Sequence, residues 1–304
     1  MSQAMGWTEI KVAVPLGWQE LVAEAMGHTL CTTVQIGDHS VAHDPPPAGC
    51  VHLRSYVPTT QDNPALRTQI AEQLQELAQR SGIEELQGLC PAYKPLPPED
   101  YATSWKKSWK PFRLRRKGRE IVLNAPWNEL PGGERLVMEL EPGGAFGSGR
   151  HATTRTCLGV ALERIRGGER VLDAGSGSGI LAVAAVQLGA DSAYGFDIDP
   201  VATDSARDLA ARNQVEDRVQ FETGTLERMP EGRFDVLFAN IYSDVIIAFS
   251  TALRSSLTED GWFAFSGCPM HRLVDTRKAI LDEGFRIEEE RRRGRWVTFV
   301  GRYA

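Results

Sequence analysis

Three glycines at alternate positions, Gly175, Gly177 and Gly179, follow the apolar segment Arg170-Val171-Leu172, which stops at Asp173. Glycine lets a backbone turn sharply and approach a ligand closely, because no Cβ intervenes. An apolar helical run from Ile180 to Leu188 begins directly after them, so its unpaired N–H groups face whatever occupies the turn. Gly189 suits the end of that helix, and Ala193-Tyr194-Gly195-Phe196 reads as a second strand closing on Asp197. A carboxylate there, twenty-two positions after Gly175, can accept hydrogen bonds from a ribose diol. Strand, glycine turn, helix, strand and terminal acid predict one crossover unit of a parallel sheet that binds a nucleoside.

Two further stretches carry polar groups toward the same place. The strongly apolar strand Phe234–Ala239 ends at Asn240-Ile241-Tyr242-Ser243. In an open parallel sheet ligands bind beyond the carboxyl ends of the strands, which points Asn240 and Tyr242 at the crevice of Gly175 and Asp197. The stretch GGAFGSGRHATTRTCL places Gly143, Gly144, Gly147 and Gly149 before a helix that runs through Leu158, Ala161, Leu162 and Ile165. Thr153 or Thr154 either only caps that helix, or the loop folds over a cofactor with Phe146 as a lid and Thr154 donating a hydrogen bond. Both readings stay open on the residues alone.

The kind of nucleoside follows from position 180. A dinucleotide fingerprint G-x-G-x-x-G would need glycine where this chain has Ile180. The pattern present, D-x-G-x-G-x-G, resembles the first motif of class I S-adenosylmethionine-dependent methyltransferases. That resemblance implies a glycine turn passing under the methionine part of the cofactor and ribose hydroxyls held by Asp197.

The remaining elements must position these groups. At 304 residues the chain has room for two domains with cores of their own. Residues 1–98 read as a small α+β domain in the order β-α-β-β-α-β, the ferredoxin-like order. Its strands fall at Thr8–Val14, Thr33–Ile36, Cys50–Val57 and Ile83–Leu89. Its helices carry Leu21, Val22, Ala25 and Met26, ending at Gly27, and Leu66, Ile70, Leu74 and Leu77, between Asn63-Pro64 and Ser81-Gly82. The Pro-rich segment Cys90–Pro98 marks a boundary. Residues 99–120 read as a linker helix on which Trp105 and Trp109 share a face. From Trp105 to Arg119 it holds eight basic residues and no acid, either a solvated face beside packed tryptophans or a grip on an anionic partner. Residues 121–304 then form a Rossmann-like α/β domain of about seven strands, in which the Glu288–Arg293 block is a solvated turn.

A net charge of −6 gives no reason to expect stable nucleic-acid binding by the surface as a whole. Five widely spaced cysteines without a C-x-x-C pair predict neither zinc nor a disulfide framework. No metal is expected. No apolar run approaches the ~18 residues of a membrane span, and the opening residues lack a signal-peptide pattern, so a cytoplasmic protein is expected.

Taken together, DYATSWKKSWKPF with IVLNAPW, GGAFGSGRHATTRTCL, VLDAGSGSGILAVAAVQLGA…GFDIDP and NIYSDVI look like the bacterial methyltransferases of large-subunit ribosomal protein 11. The resemblance runs over nearly the whole chain. It implies an enzyme, needing little acid–base machinery, that moves methyl groups from S-adenosylmethionine to side-chain lysines and the N-terminal amine of a ribosomal protein. It implies cofactor contacts at Thr154, Gly175, Gly177, Asp197 and Asn240, with Phe146 in the loop, and an acceptor amine or cofactor methionine held by Asn240 and Tyr242. A monomer whose N-terminal domain docks the substrate is the expected form. The family often has threonine-histidine-proline where this chain has Arg150-His151-Ala152, and a leucine-alanine-glycine type run where it has Tyr242-Ser243-Asp244. A methyltransferase acting on a small molecule or nucleic acid, and a non-catalytic cofactor-binding module, are the alternatives. Calorimetry with S-adenosylmethionine against NADH separates the last from the others.

Overall fold

The computed structural model describes residues 6–30, 34–36, 45–96, 110–129, 136–140, 149–228 and 232–303. Phe146 with Gly143, Gly144 and Gly147, and the stretch holding Trp105 and Trp109, lie outside the described residues. The chain divides into two compact units, Met1–Trp109 and Lys110–Ala304, each with its own apolar core.

The first unit contains β1 (Trp7–Pro15), α1 (Gln19–Leu30), β2 (Gln35–Ile36), β3 (Cys50–Pro58), α2 (Pro64–Ser81) and β4 (Ala92–Leu96). Its sheet has the order β2-β3-β1-β4 with antiparallel neighbours. Alternation along β1 buries Ile10, Val12 and Val14 against Val22 and Met26 of α1 and Ile70 and Leu74 of α2. Asn63 starts α2 by accepting the Leu66 N–H at 3.0 Å, and Gly82 ends it at φ 64°, a cap worth about 1 kcal/mol at the start alone. Two expectations fail here. Helix α1 runs through Gly27 to Leu30, because packing of Met26 and Leu30 outweighs one glycine. The last strand is Ala92–Leu96 rather than Ile83–Leu89, where Glu84–Leu86 forms a short 3₁₀ turn. Pro95 is tolerated in β4 because this strand is an edge, paired with β1 alone.

The second unit opens with a hairpin of β5 (Phe112–Arg116) and β6 (Arg119–Asn124), with β7 (Leu136–Glu139) parallel to β6. Lys117 and Gly118, at φ 46° and 81°, make the two-residue turn that twisted strands prefer. The predicted linker helix is therefore wrong from Phe112 onward. Buried Leu114 between exposed Arg113 and Arg115 has the period of a strand, and the helical spacing of the tryptophans does not extend to it.

Then follow α3 (Ala152–Arg164), β8 (Arg170–Ala174), α4 (Ile180–Gln187), β9 (Ser192–Asp197), α5 (Pro200–Arg212), β10 (Val219–Thr223), β11 (Phe234–Asn240), α6 (Ser243–Ala248), α7 (Ser250–Ser255), β12 (Leu257–Pro269), α8 (Leu273–Asp282), β13 (Phe285–Arg293) and β14 (Trp296–Tyr303). The seven strands lie in the order β10-β9-β8-β11-β12-β14-β13, parallel except for β14, which is antiparallel to both neighbours. The chain moves outward from β8 through β9 to β10 and then returns to β11 on the other side of β8. That reversal opens a crevice at the carboxyl ends of β8 and β11. Helix α4 is buried all round from Ile180 to Val186, which explains its unbroken apolar run. Arg119 ties the small sheet to this core by donating to the carbonyls of Leu162, Ile165 and Leu188, at the carboxyl ends of α3 and α4.

The Glu288–Arg293 block is the second half of β13 and not a turn. Glu288 and Glu289 receive Arg164 at 2.8 and 2.7 Å, Glu290 receives Arg277, and Arg291 reaches Glu163 at 2.6 Å. Its charges belong in a strand because their partners stand on α3 and α8, remote in the sequence. Among the described residues no helix is long and apolar enough to cross a membrane, and no cluster of metal-ligating side chains occurs.

Candidate cofactor and acceptor site

The glycine turn leaves β8 in an unusual backbone path. Gly175, Gly177 and Gly179 have φ of 71°, 52° and 76°, a left-handed alternation that disfavours any side chain. The N–H groups of Gly175 and Ser176 both donate to the Phe196 carbonyl at 2.9 Å, which fastens the turn to the end of β9. Asp197 completes the attachment: its Oδ2 accepts Gly177 N–H at 2.8 Å and its Oδ1 accepts Asp199 N–H at 3.0 Å. A carboxylate has about four lone-pair positions, so these two bonds leave capacity for a diol. Ile198, the next residue, is 76 % exposed, an apolar side chain unburied beside a carboxylate. Only its position after the acid signals it in the sequence.

On the other side of the crevice Asn240 donates from Nδ2 to Thr154 Oγ1 at 3.3 Å, joining the end of β11 to the first turn of α3. Thr154 is wholly buried and does not cap its helix; His151 does, with Nδ1 accepting Thr153 N–H at 3.4 Å. Burial, with Arg295 adding, lowers the His151 imidazole to about 4, so it is neutral and free to accept in this role near neutral pH. Tyr242 is 53 % exposed at the rim.

The Asn240–Tyr242 loop is held by its middle residue. A Cβ on Gly175 would stand 2.2 Å from Ile241 Cγ2, and one on Gly267 would stand 2.0 Å from the Ile241 carbonyl oxygen. Gly267, at φ 91°, lies where the pairing of β12 with β14 slips between Phe265 and Cys268, a bulge next to the loop. The sequence gives no sign of this role for Ile241 and Gly267, because the contacts join the loop after β11 to β12 and to the turn after β8. Two grooves with charged linings lie elsewhere, one bounded by Lys117, Glu169, Asp235 and Asp260 at the amino ends of the strands and one between α8 and β13. Neither is near the crevice.

Asp173 is buried directly under the turn. Its Oδ2 accepts Ala182 N–H at 3.2 Å, and among the described residues its Oδ1 has no hydrogen-bond partner. Burial, with the nearby Asp197 charge adding, pushes its carboxyl up to about 7 against the Ala182 bond. A raised folded pKa means the folded chain keeps a proton that the unfolded chain releases. Stability from this group is thus full below about pH 4 and declines as pH rises to about 7. Asp173→Asn keeps the acceptor for Ala182 and removes that decline. Its melting temperature is expected to gain on the parent by on the order of 5 °C between pH 4 and 8. Parallel melting curves across that range would sink the assignment.

Two carboxylates with unspent acceptor capacity, one of them buried with its Oδ1 unpartnered among the described residues, suit a ligand with a diol and positive charge. The strand order and the crevice between β8 and β11 define the chain as a class I S-adenosylmethionine-dependent methyltransferase. A profile of the family "Ribosomal protein L11 methyltransferase (PrmA)" matches residues 6–304. Ribosomal protein L11 methyltransferase of Desulfitobacterium hafniense is 34% identical over 317 residues, covering 98% of this chain and 98% of the relative. That of Pelobacter propionicus is 34% identical over 312 residues, again 98% of each. Among solved structures, ribosomal protein L11 methylase of Lactobacillus delbrueckii subsp. bulgaricus aligns with a TM-score of 0.57 at 30% identity, covering 60% of this chain and 95% of that one. The chain belongs to the ribosomal protein L11 methyltransferase family.

Proposed function

We propose that this enzyme methylates amines of ribosomal protein L11, on lysine side chains and at the N-terminus, in the cytoplasm. What carries the reading is the family match over residues 6–304 together with a polar crevice at the sheet's reversal point. S-adenosylmethionine supplies a methyl group already activated on a sulfonium. Asp197 would hold the ribose hydroxyls, Ile198 would cover the base, and the turn at Gly175 and Gly177 would lie under the methionine part. Phe146 would close the loop over it. Thr154 orients Asn240, whose amide oxygen would accept an N–H of the incoming amine and aim its lone pair. Tyr242 at the rim would guide the amine inward. A lysine, with an ordinary pKa near ~10.4, reacts only when neutral, and a crevice walled by Ile241 favours that form by desolvation.

The first unit, residues 1–98 with the segment after it, would dock the substrate protein. Mass spectrometry of L11 incubated with the enzyme and S-adenosylmethionine tests the reading, by the number and position of added methyls. The piece 110–304 carries the whole crevice and its own core. It is expected to bind S-adenosylmethionine normally but to lose at least about tenfold in kcat/KM toward L11, the worth of ~1.4 kcal/mol of remote binding. Equal rates for the piece and the full chain would remove the docking role. Unmodified L11 with the full chain would remove the substrate itself.

A further inference from the structure

Three neighbouring strands, β11, β12 and β14, carry Asn240, Ser266 and Thr298 near the crevice. Asn240 and Ser266 are partners in the parallel register, so their side chains leave the sheet on the same face. Helix α3 covers that face: Asn240 reaches Thr154, and Cys157, three residues further along the helix, lies against Ser266. Ser266 and Thr298 are wholly buried, and their hydroxyl oxygens stand 2.7 Å apart, each the partner of the other. Buried Phe265 and Phe299 flank the pair along the two strands. Alanine and valine would fill the same space without the cost of burying two hydroxyls. The pair calls for a reason other than packing.

Its place in the sheet supplies one. Phe265 pairs with Phe299 and Cys268 with Val297, so Ser266 and Gly267 together oppose the single residue Thr298. This is a bulge, in which the backbone ladder is interrupted. The hydroxyl bond spans the interruption and ties the first bulge residue to the opposite strand. The second, Gly267 at φ 91°, abuts the Ile241 carbonyl so closely that a Cβ there would stand 2.0 Å from the oxygen. Ile241 follows Asn240 directly, so a shift of the bulge passes to the loop. The 3.3 Å bond from Asn240 to Thr154 is the next contact in line.

We propose that the Ser266–Thr298 hydroxyl pair positions Asn240 for methyl transfer, by fixing the bulge against which the Asn240–Tyr242 loop rests. Both are positioning residues, and neither touches the reacting atoms. Without Thr298 the Ser266 hydroxyl loses its partner and competes for backbone groups of the bulge, which moves the loop. The proposal rests on the reading that Asn240 holds the acceptor amine.

The test uses the full chain and two readouts, turnover with L11 and the side-chain amide resonances of Asn240. The chain has five asparagines, at 63, 124, 128, 213 and 240, so selective nitrogen-15 labelling gives a spectrum in which the Asn240 pair is the one missing from Asn240→Asp. Thr298→Val replaces the hydroxyl by a methyl group of similar size. It should shift the Asn240 resonances and lower kcat at least about tenfold, with S-adenosylmethionine affinity within about threefold of the parent. Ser266→Ala removes the same bond from the other side and should act alike, so either variant decides the matter if the other does not fold. The double variant should lose no more than the worse single one, since one bond is broken in all three. Thr298→Ser keeps a hydroxyl and should restore most of the rate. Ser256→Ala, a buried hydroxyl at the opposite end of β12 bonded to the Ala252 carbonyl, should leave both readouts unchanged. Unmoved Asn240 resonances in both single variants, an unchanged kcat, or a loss in Thr298→Ser equal to that in Thr298→Val overturns the proposal. If the parent leaves L11 unmodified, the reading of the acceptor fails, and the resonances alone decide whether the pair positions Asn240.

Discussion

Asp197→Ala is expected to weaken S-adenosylmethionine binding about ten- to a hundredfold, the loss of ~1.5–3 kcal/mol that a charged hydrogen-bond acceptor provides. The carboxylate has two duties. It would bind the ribose diol, and it holds Gly177 N–H and Asp199 N–H in the conformation of the turn. Asp197→Asn separates them, since one amide oxygen can still receive Gly177 while the second acceptor is gone. The asparagine variant should therefore fall between alanine and the parent. Calorimetric titration measures all three, with melting curves to confirm folding. An alanine variant of unchanged affinity would leave Asp197 as a strand terminus and nothing more.

Gly267→Ala is expected to act on the other half of the reaction. At φ 91° a Cβ is strained, and here it would also meet backbone atoms of Ile241, at 2.0 Å from the oxygen and 2.8 Å from the carbon. Backbone cannot rotate aside as a side chain does, so the Asn240–Tyr242 loop must move. A displacement near 1 Å at the reacting groups costs about a hundredfold in rate. The stability cost is ~1–3 kcal/mol, enough to lower the melting temperature without unfolding the chain at room temperature. The Asp197 arm of the crevice is untouched. The expected result is a large fall in kcat with cofactor affinity within a few-fold of the parent. A normal kcat would show that the loop tolerates the shift and that the bulge is only a feature of the sheet.

The parts of the site that were legible in the sequence are those whose determinants are local. The three glycines, the apolar helix behind them and Asp197 fall within thirty residues, and the hydrogen bonds that join them span at most twenty-one. The pairing of Asn240 with Thr154 crosses eighty-six residues, and only direction toward a common crevice suggested it. The helix start after Gly149 was read with the common cap residues, threonines, whereas His151 takes that place because packing against Trp296 holds its ring there, 5.4 Å between centres. Strands β4 and β5 and the second half of β13 escape the sequence reading for one reason. Each lies at the edge of a sheet, where a proline, a run of arginines or a block of paired charges is tolerated and disguises the alternation. Gly267 shows no local sign of its importance, since the atom it must avoid belongs to the loop after β11.

The charged half of β13 has a consequence beyond the single molecule. An outermost strand of nine residues offers unpaired backbone groups to any neighbour, and two copies of the enzyme meeting there could extend one sheet into the next. Glu288, Glu289, Glu290 and Arg291 along it, held to α3 or α8, would have to surrender their partners before a second strand could dock. The same ion pairs that fasten the helices to the sheet thus oppose edge-to-edge pairing of one copy with the next.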